Sequence, residues 1–267
     1  MAFFLQNESE VFIDICTGNA RKDLVVMKVI DIHQHVLPSV DDGAKDMERT
    51  LDMLRICQQQ EMNTVIATPH FDRCRYRSEQ ADLPQLTEQV NEACIREGIA
   101  VKVLLGAEVF CEPGIYQRLK AGRIPTLAGS RYVLMEYGYE ESFSEIQKNV
   151  QRLAEYGFTA ILAHAERYSC IRKNPDYILE LKEDFRTLVQ VNASDLTGEA
   201  GFWMQRYCQK LLKNDLIDFI ATDAHNISDR PPLIQKCVQY VTGKKGEDYA
   251  EKIFWQNPQS VILNKRL

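Results

Sequence analysis

The stretch VIDIHQH, residues 29–35, is an apolar, strand-like run that ends on two histidines. The other three histidines follow the same pattern, because the runs TVIATPH, TAILAH and FIATDAH end at His70, His164 and His225. Histidines scattered over a surface would not follow strand ends, whereas ligands of a metal cluster at one mouth of a barrel would. Imidazole and carboxylate are the ligands that Mn, Fe, Co and Zn hydrolase sites use.

The composition is that of a soluble globular protein, with 267 residues, 45% hydrophobic and 26% charged. A formal charge of −6 and a pI near 5.5 predict no bulk attraction to nucleic acid. No apolar run approaches the roughly 20 residues of a membrane-spanning helix. The N-terminus lacks the basic start and long apolar stretch of a signal peptide. We therefore expect a cytoplasmic protein that neither inserts into a membrane nor binds nucleic acid.

Short strand-like runs alternate with helical patterns from Met27 onward. Asp46 can cap the first helix, the next two end at Gly98 and Gly157, and Trp203 starts the apolar spacing of a fourth. This alternation predicts a parallel sheet. The predicted strands are Val29–His33, Thr64–Thr68, Val101–Ala107, Tyr132–Tyr137, Thr159–His164, Leu188–Val191 and Phe219–Thr222.

Ligand-type residues end at least six of these strands, and this number decides between two architectures. An open doubly wound sheet gathers its site at a switch point fed by two or three strands. Closure into a barrel brings many strand ends round one centre, as at the C-terminal face of a β/α barrel. We therefore predict an α/β fold, a distorted, TIM-like, seven-stranded β/α barrel spanning residues 27–267.

Residues 1–26 do not join the rhythm of strands and helices and are expected to be an N-terminal extension, whose role the sequence does not define. Met27 offers an alternative start, because MKVIDIH would place the first strand at the terminus.

The spacing of two residue pairs predicts how the ligands are shared. His33 and His35 flank one residue on an extended segment, so both imidazoles point to the same side. Asp223 and His225 repeat this spacing at the last strand and can reach two neighbouring ions. One histidine at a strand end is ordinarily a hydrogen-bonded core residue, but five in this pattern favour a metal cluster.

The number of ligand-type groups exceeds the capacity of one ion, so we expect two or three ions and at least one bridging carboxylate. Asp42, in the turn SVDDGAKD, is a ninth candidate, although a turn or cap is the ordinary role of such an aspartate. The other eight are His33, His35, His70, Glu108, Glu136, His164, Asp223 and His225.

Several other chemistries are excluded by missing motifs. No cysteine stands six positions before an arginine, as thiol phosphatases require, and CTGNAR at Cys16 is one residue short. The G-x-x-x-x-G-K-[ST], G-x-G-x-x-G and G-x-S-x-G motifs are absent. The eight cysteines form no Cys-x-x-Cys pair and are expected to be reduced thiols. The nucleophile is therefore expected to be water activated by metal.

The chain resembles the bacterial metal-dependent tyrosine phosphatases of capsule and exopolysaccharide operons, in the polymerase-and-histidinol-phosphatase (PHP) superfamily. The resemblance covers roughly residues 27–267 and rests on DIHQHVLPSVDDGAKDMERTLDML, IATPH, LLGAEVF, IPTLAGSRYVLMEY, ILAHAERY, QVNASDL and IATDAHNISDRPP. It implies a β/α barrel with a trinuclear site and hydrolysis of protein phosphotyrosine. It also implies a bacterial tyrosine kinase as partner and Mn as the preferred metal, with Fe, Co or Zn as alternatives. An oligomer is compatible with the sequence.

The resemblance also implies which residues share each ion. One ion would be held by His33, His35, Glu108 and Asp223. Glu108 would bridge to a second ion, completed by Glu136 and His164. The third ion would be held by Asp42, His70 and His225.

Two arginines follow predicted ligands on loops that leave a strand. Arg167 lies three residues after His164, and Arg230 lies five after His225. At the mouth of a barrel, a guanidinium can bind phosphate oxygens in a forked geometry and offset charge in the transition state. We expect both to bind phosphate, whereas Arg73, Arg75 and Arg77 are equally compatible with a positive rim or a solvated loop.

Three alternatives remain at this point. A small-molecule phosphatase such as histidinol-phosphatase shares the ligand set, although Glu136 and Asp42 favour the tyrosine phosphatases because such relatives often carry histidine there. An amidohydrolase would have a bridging carboxylated lysine where this chain has Glu108. A non-catalytic binding barrel is disfavoured by the complete ligand set.

Overall fold

The computed structural model describes residues 27–72, 75–76 and 78–267. The predicted N-terminal extension, residues 1–26, lies outside the described residues, as do Arg73 and Arg77. The described residues alternate parallel strands with helices, so the predicted α/β class is confirmed. No helix in this described part has the length and apolar character needed to cross a bilayer.

The strands are short and all pair in parallel. They are β1 (Val29–Gln34), β2 (Met62–Ala67), β3 (His70–Phe71), β4 (Lys102–Leu105), β5 (Glu108–Phe110), β6 (Tyr132–Glu136), β7 (Thr159–Leu162), β8 (Leu188–Asn192) and β9 (Phe219–Ala221).

Helices follow most strands, with one π-helical turn at Lys252–Gln256 and 3-10 turns at Leu127–Gly129 and Ala165–Arg167. The α-helices are α1 (Met47–Gln59), α2 (Leu83–Arg96), α3 (Ile115–Lys120), α4 (Phe143–Glu155), α5 (Ser169–Lys173), α6 (Tyr177–Phe185), α7 (Ala193–Thr197), α8 (Phe202–Lys213), α9 (Gln235–Lys245), α10 (Glu247–Glu251) and α11 (Asn257–Ile262).

The strands form two parallel sheets. The smaller sheet has the order β1-β2-β4, and the larger has the order β3-β5-β6-β7-β8-β9 and curls as a half-barrel. An isolated parallel bridge joins Gln34, at the end of β1, to Ala224, just after β9. The closed seven-stranded barrel stays a prediction.

Two short strands lie beyond the ends of predicted strands. The predicted strand Val101–Ala107 corresponds to β4, which ends at Leu105, and Gly106 makes the last bond to β2 by donating its N–H to the Ala67 carbonyl at 2.8 Å. β5 then begins at Glu108 and pairs with β3, which itself follows the predicted strand Thr64–Thr68 after Pro69. β3 and β5 were not predicted as separate strands, since runs of two or three residues are too short to carry a periodic signal.

Apolar side chains cover both faces of the strands, as is typical of parallel sheets. Val29, Val103 and Val133 belong to the larger core, which also contains the helices. Their neighbours Ile30 and Leu134 belong to a smaller apolar cluster made mostly of strand residues. The strand ends therefore rest on packed layers that hold them rigidly.

The predicted helix signals mostly agree with the structure. Asp46 caps α1 by accepting from Arg49 N at 2.9 Å, and Gly98 and Gly157 follow α2 and α4 with positive φ. Trp203 differs from expectation, because its side chain is 82% exposed instead of facing the core.

Candidate metal centre

The polar residues at the strand ends converge on one region of the molecule. His33 lies within β1 and His35 directly follows it, His70 starts β3 and Glu108 starts β5, while Glu136 ends β6. His164, Asp223 and His225 follow β7 and β9 within a few residues, and Asp42 lies in the turn before α1. All nine predicted ligands thus lie near the same edge of the strands.

Three groups of these side chains place their ligand atoms within 4.8 Å of one another. The first contains His33, His35, Glu108 and Asp223, the second contains His35, Asp42, His70 and His225, and the third contains His70, Glu108 and Glu136. The composition of the first group equals the set that the family resemblance assigns to one ion. His70 and His35 are shared between groups, which the sequence did not predict.

His164 lies beside the third group. Its Nε2 is 2.8 Å from Glu108 Oε1 and 3.7 Å from Glu136 Oε1. His70 approaches the other oxygen of each carboxylate, with Nδ1 3.1 Å from Glu108 Oε2 and 3.5 Å from Glu136 Oε2. The two glutamates therefore stand between two histidines.

The buried polar atoms of this region suit divalent cations. Glu108 Oε2 is buried and makes no hydrogen bond, although His33 Nε2, His35 Nε2 and His70 Nδ1 lie 3.1–3.2 Å away. The buried nitrogens His225 Nε2 and His164 Nδ1 also make none. Unpaired buried polar atoms are costly, and a cation held among imidazoles and carboxylates would satisfy them.

Within the cluster, neighbouring charges shift the pKa values of the carboxylates and of His33 in the direction opposite to the effect of burial. Burial raises the pKa of Glu108, but His33 and His70 outweigh it and hold that pKa well below its ordinary value. Burial likewise raises the pKa of Asp223, which His33 and His35 lower well below normal. Burial lowers the pKa of His33, and Glu108 and Asp223 raise it above normal. The cluster is thus held together by strong attraction between its two kinds of group.

Two predicted ligands have a left-handed backbone. His164 has φ of 33° and Asp223 has φ of 53°. Residues other than glycine adopt this region rarely, and such strain is concentrated at functional sites. The register of β1 against β2 also shifts between Asp31 and Gln34, around His33. Local irregularities of this kind re-aim side chains at a sheet edge.

The two predicted phosphate-binding arginines line the same cavity of about 190 Å³ as the cluster. Arg230 Nη2 lies 2.7 Å from Asp223 Oδ2, and Arg167 Nη1 lies 4.0 Å from the same oxygen. Arg167 is 26% exposed and Arg230 40% exposed, so both guanidinium groups can be reached from solvent. Arg75 lies on the same cavity wall.

Two acidic residues were not singled out from the sequence, namely Asp195 in QVNASDL and Glu166 in HAERY. Asp195 accepts from Arg167 Nε at 3.1 Å and from Arg167 Nη2 at 3.4 Å. Burial and the neighbouring Asp195 carboxylate raise the pKa of Glu166 well above its ordinary value. Asp195 therefore holds the Arg167 side chain beside the cavity.

Three further polar residues orient predicted ligands and were also missed. Asp41 Oδ2 lies 2.8 Å from His35 Nδ1. Gln190 Oε1 lies 3.1 Å from His33 Nδ1, and Asn192 Nδ2 donates to Asp223 Oδ2 at 2.8 Å. Such partners fix the orientation of ligand side chains. The signal was present in LVQVN, where two polar residues at a spacing of two interrupt an otherwise apolar strand.

Comparison with known proteins identifies a family and relatives that are tyrosine-protein phosphatases. A family model described as "Capsular polysaccharide synthesis, CpsB/CapC" matches residues 29–263. The tyrosine-protein phosphatase YwqE of Bacillus subtilis is 30% identical over 239 residues, covering 90% of this chain and 93% of YwqE. The tyrosine-protein phosphatase CpsB of Streptococcus pneumoniae is 28% identical over 242 residues, covering 89% of this chain and 99% of CpsB.

Solved structures show the same relationship. A structure from the work on YwqE and CpsB, described there as metal-dependent tyrosine phosphatases, superposes with a TM-score of 0.83 at 29% identity. It covers 88% of this chain and 95% of the matched chain. A β-aspartyl dipeptidase from Fervidobacterium islandicum matches with a TM-score of 0.52 at 15% identity, a likeness of fold alone.

Proposed function

The chain belongs to the CpsB/CapC family of capsular polysaccharide synthesis, and we propose that it is a metal-dependent phosphatase that hydrolyses phosphotyrosine on proteins. The observation that carries this proposal is the convergence of histidines, carboxylates and two arginines on one cavity. Curated relatives of nearly the same length are tyrosine-protein phosphatases, which favours this activity over the histidinol-phosphatase alternative.

The proposed centre holds two or three divalent ions, with Mn preferred and Fe, Co or Zn as alternatives. His33, His35, Glu108 and Asp223 would hold one ion. Glu136 and His164 would share Glu108 with a second, and Asp42, His70 and His225 would hold the third. Ions in such a site lower the pKa of bound water from 15.7 toward about 7 and act as Lewis acids toward phosphoryl oxygens. The unpaired Glu108 Oε2 supports its bridging role.

The arginines have a separate part in the proposed reaction. Arg167 and Arg230 would bind non-bridging phosphate oxygens, because both side chains line the cavity and reach solvent. Asp223 and Asp195 keep the two guanidinium groups on this wall. A phenolate leaving group has a pKa near 10, so it needs less protonation than the alkoxide of phosphoserine. The site can therefore act on phosphotyrosine without a mobile general acid.

The proposed physiological substrate is a tyrosine-phosphorylated bacterial kinase that regulates capsule or exopolysaccharide synthesis. The family description and the named relatives support a role in the control of polysaccharide synthesis. The cytoplasmic location and an oligomeric state stay predictions from the sequence.

The proposed architecture behind this site is the seven-stranded barrel. β2 and β3 would form one interrupted strand position, and β4 and β5 another, because each pair is separated by two residues. The bridge from Gln34 to Ala224 supports closure between β1 and β9.

Metal removal and substrate comparison test the proposed activity. Chelation should abolish hydrolysis of p-nitrophenyl phosphate and of a phosphotyrosine peptide, and Mn should restore both more fully than Mg. On one preparation, kcat/KM should rank the phosphotyrosine peptide above a phosphoserine peptide and histidinol phosphate. Activity that survives chelation would contradict the metal-dependent mechanism. A preference for histidinol phosphate by orders of magnitude would replace the protein substrate with a small molecule.

A further inference from the structure

Two tyrosines line the cavity that contains the metal-type ligands and the arginines, and neither has a role in the proposed chemistry. The Tyr76 ring stacks on the His70 imidazole, with centroids 4.8 Å apart and planes 10° apart. The Tyr139 ring meets His164 edge-on, with centroids 6.0 Å apart at 83°. Both rings thus lie directly against the cluster.

Each ring contacts one of the two histidines that hold the paired carboxylates. His70 approaches one oxygen of Glu108 and of Glu136, and His164 approaches the other oxygen of each. Tyr76 packs on the first histidine and Tyr139 on the second.

Tyr139 is held in place although its side chain is 48% exposed. Its carbonyl accepts from Ser169 N at 2.8 Å, and Gly138 and Glu141 close a turn around it. A large aromatic side chain left half exposed on a fixed loop beside a cavity is a typical ligand contact.

We propose that Tyr76 and Tyr139 form two aromatic walls that receive the phenyl ring of phosphotyrosine and select aryl over alkyl phosphate esters. The inference rests on the proposed function, because Arg167 and Arg230 would hold the phosphate while the ring extends outward between the tyrosines. Aromatic rings favour offset-stacked or edge-to-face contacts, which one ring of each orientation could supply. A phosphoserine side chain carries no ring to fill this space.

The test separates recognition of the ring from catalysis by using inert phosphonates. Binding of benzylphosphonate and methylphosphonate to the Mn-loaded protein is measured by titration calorimetry. The wild-type protein should bind benzylphosphonate more tightly, by roughly fivefold to tenfold for one well-placed aromatic contact. Tyr139→Ala should lower this ratio, and Tyr139→Ala combined with Tyr76→Leu should bring it close to one, because both walls are then lost. Tyr139→Phe, which keeps the ring, should preserve the ratio.

Matched variants complete the experiment. Tyr240, partly buried on α9 and outside the cavity, serves as the control, and Tyr240→Ala should leave the ratio unchanged. Tyr76→Phe and Tyr76→Leu are compared at equal metal content, because Tyr76 packs on His70.

An unchanged benzylphosphonate preference in Tyr139→Ala combined with Tyr76→Leu would overturn the proposal. Failure of the proposed function would be distinguishable, since it would appear as absent hydrolysis of phosphotyrosine peptide by the wild-type protein whatever the phosphonate ratio.

Discussion

At the level of single residues, Glu108 is the carboxylate that lies among four histidines. One of its oxygens lies within 3.2 Å of three imidazole nitrogens, and the other lies 2.8 Å from His164. His225, by contrast, has Asp42 and Asp223 as its acidic partners. Loss of a carboxylate shared by two ions should therefore reduce metal binding and activity more than loss of a histidine that binds one ion.

We therefore expect Glu108→Gln to lose more metal and more activity than His225→Ala. The loss in metal affinity should reach at least roughly a hundredfold, the upper end of what removal of a residue that supports a ligand costs. Elemental analysis of protein purified without chelator, together with kcat, measures both effects. Equal and mild losses in the two variants would be incompatible with a bridging Glu108.

Asp195 provides a second residue-level prediction, because its carboxylate orients Arg167 through two contacts. Asp195→Asn should lower kcat/KM for phosphotyrosine peptide by roughly tenfold to a hundredfold, since a hydrogen bond to a charged group contributes about 1.5–3 kcal/mol. Metal content should not change. Asp176→Asn, at an exposed aspartate without a side-chain cap contact, is the control. A kcat/KM of Asp195→Asn equal to that of the wild-type protein would show that Asp195 does not position Arg167 for the reaction.

At the scale of the elements, the turn before α1 packs closely against the end of β1. A Cβ added at Gly43 would lie 2.0 Å from the His35 carbonyl oxygen, a backbone atom that cannot give way easily. Gly43 N donates to Asp41 Oδ1, and Ala44 N donates to the His35 carbonyl. The turn thereby fixes Asp41 and Asp42 against the histidines.

Gly43→Ala should displace this turn and weaken the site while leaving the parallel strands folded. We expect a loss of stability of about 1–3 kcal/mol, typical of overpacking, and a lower metal content. Thermal unfolding and elemental analysis measure the two effects. Gly138→Ala, where an added Cβ meets no atom within 4 Å, is the matched control. Wild-type metal content in Gly43→Ala would show that the turn does not shape the site.

The sequence predicted whole elements better than their interruptions. Apolar runs with β-branched residues identified β1, β6, β7 and β8 closely, because period and length are properties of the run itself. The break at Gly106 and Ala107 lies where pairing with β2 ends and pairing with β3 begins, a change of partner that no local pattern encodes.

The candidate site could be predicted as a set of residues but not as a set of partners. His33 and His35 were paired by their spacing, and the structure brings both to Glu108 Oε2 at 3.2 Å. His70 belongs to two groups because one ring nitrogen faces Asp42 and the other faces Glu108 and Glu136, an arrangement that sequence spacing does not encode. Gln190 and Asn192 were missed because the search was for metal ligands, and their amides act on the ligands His33 and Asp223 instead.

At the scale of the whole molecule, the cluster makes the stability of the metal-free protein depend on pH. The pKa values of His33, His35 and His70 are raised despite burial, by neighbouring carboxylates. Their contribution is complete below the ordinary histidine value of 6.5 and is lost as pH rises through the folded-state values. The lowered pKa of Glu108 adds stability above its ordinary value of 4.5, which is lost on acidification. Burial and His35 lower the pKa of His225, so the contribution of this histidine changes with pH in the opposite direction to that of His33, His35 and His70.

Metal-free protein should therefore unfold at a higher temperature at pH 6 than at pH 8.5. Metal-loaded protein should show a larger stabilisation by metal at pH 8.5, because bound ions compete with protons for the imidazoles. Calorimetric scans of both forms at several pH values measure these trends. A metal-free protein that gains stability from pH 6 to pH 8.5 would contradict the assigned ion pairs.

The contact between the ends of the first and last strands can form only after both strands have been synthesised. Asp31 and Thr222 are hydrogen bonded although they are 191 positions apart. A ribosome adds about 5–20 residues per second, so the nascent chain waits roughly 10–40 seconds between these two residues. His33 and His35 emerge long before Asp223 and His225, and until then they cannot form the complete cluster. Metal selection is consequently a late event, made only after residues 223–225 have emerged, from whatever ions the surrounding compartment then offers.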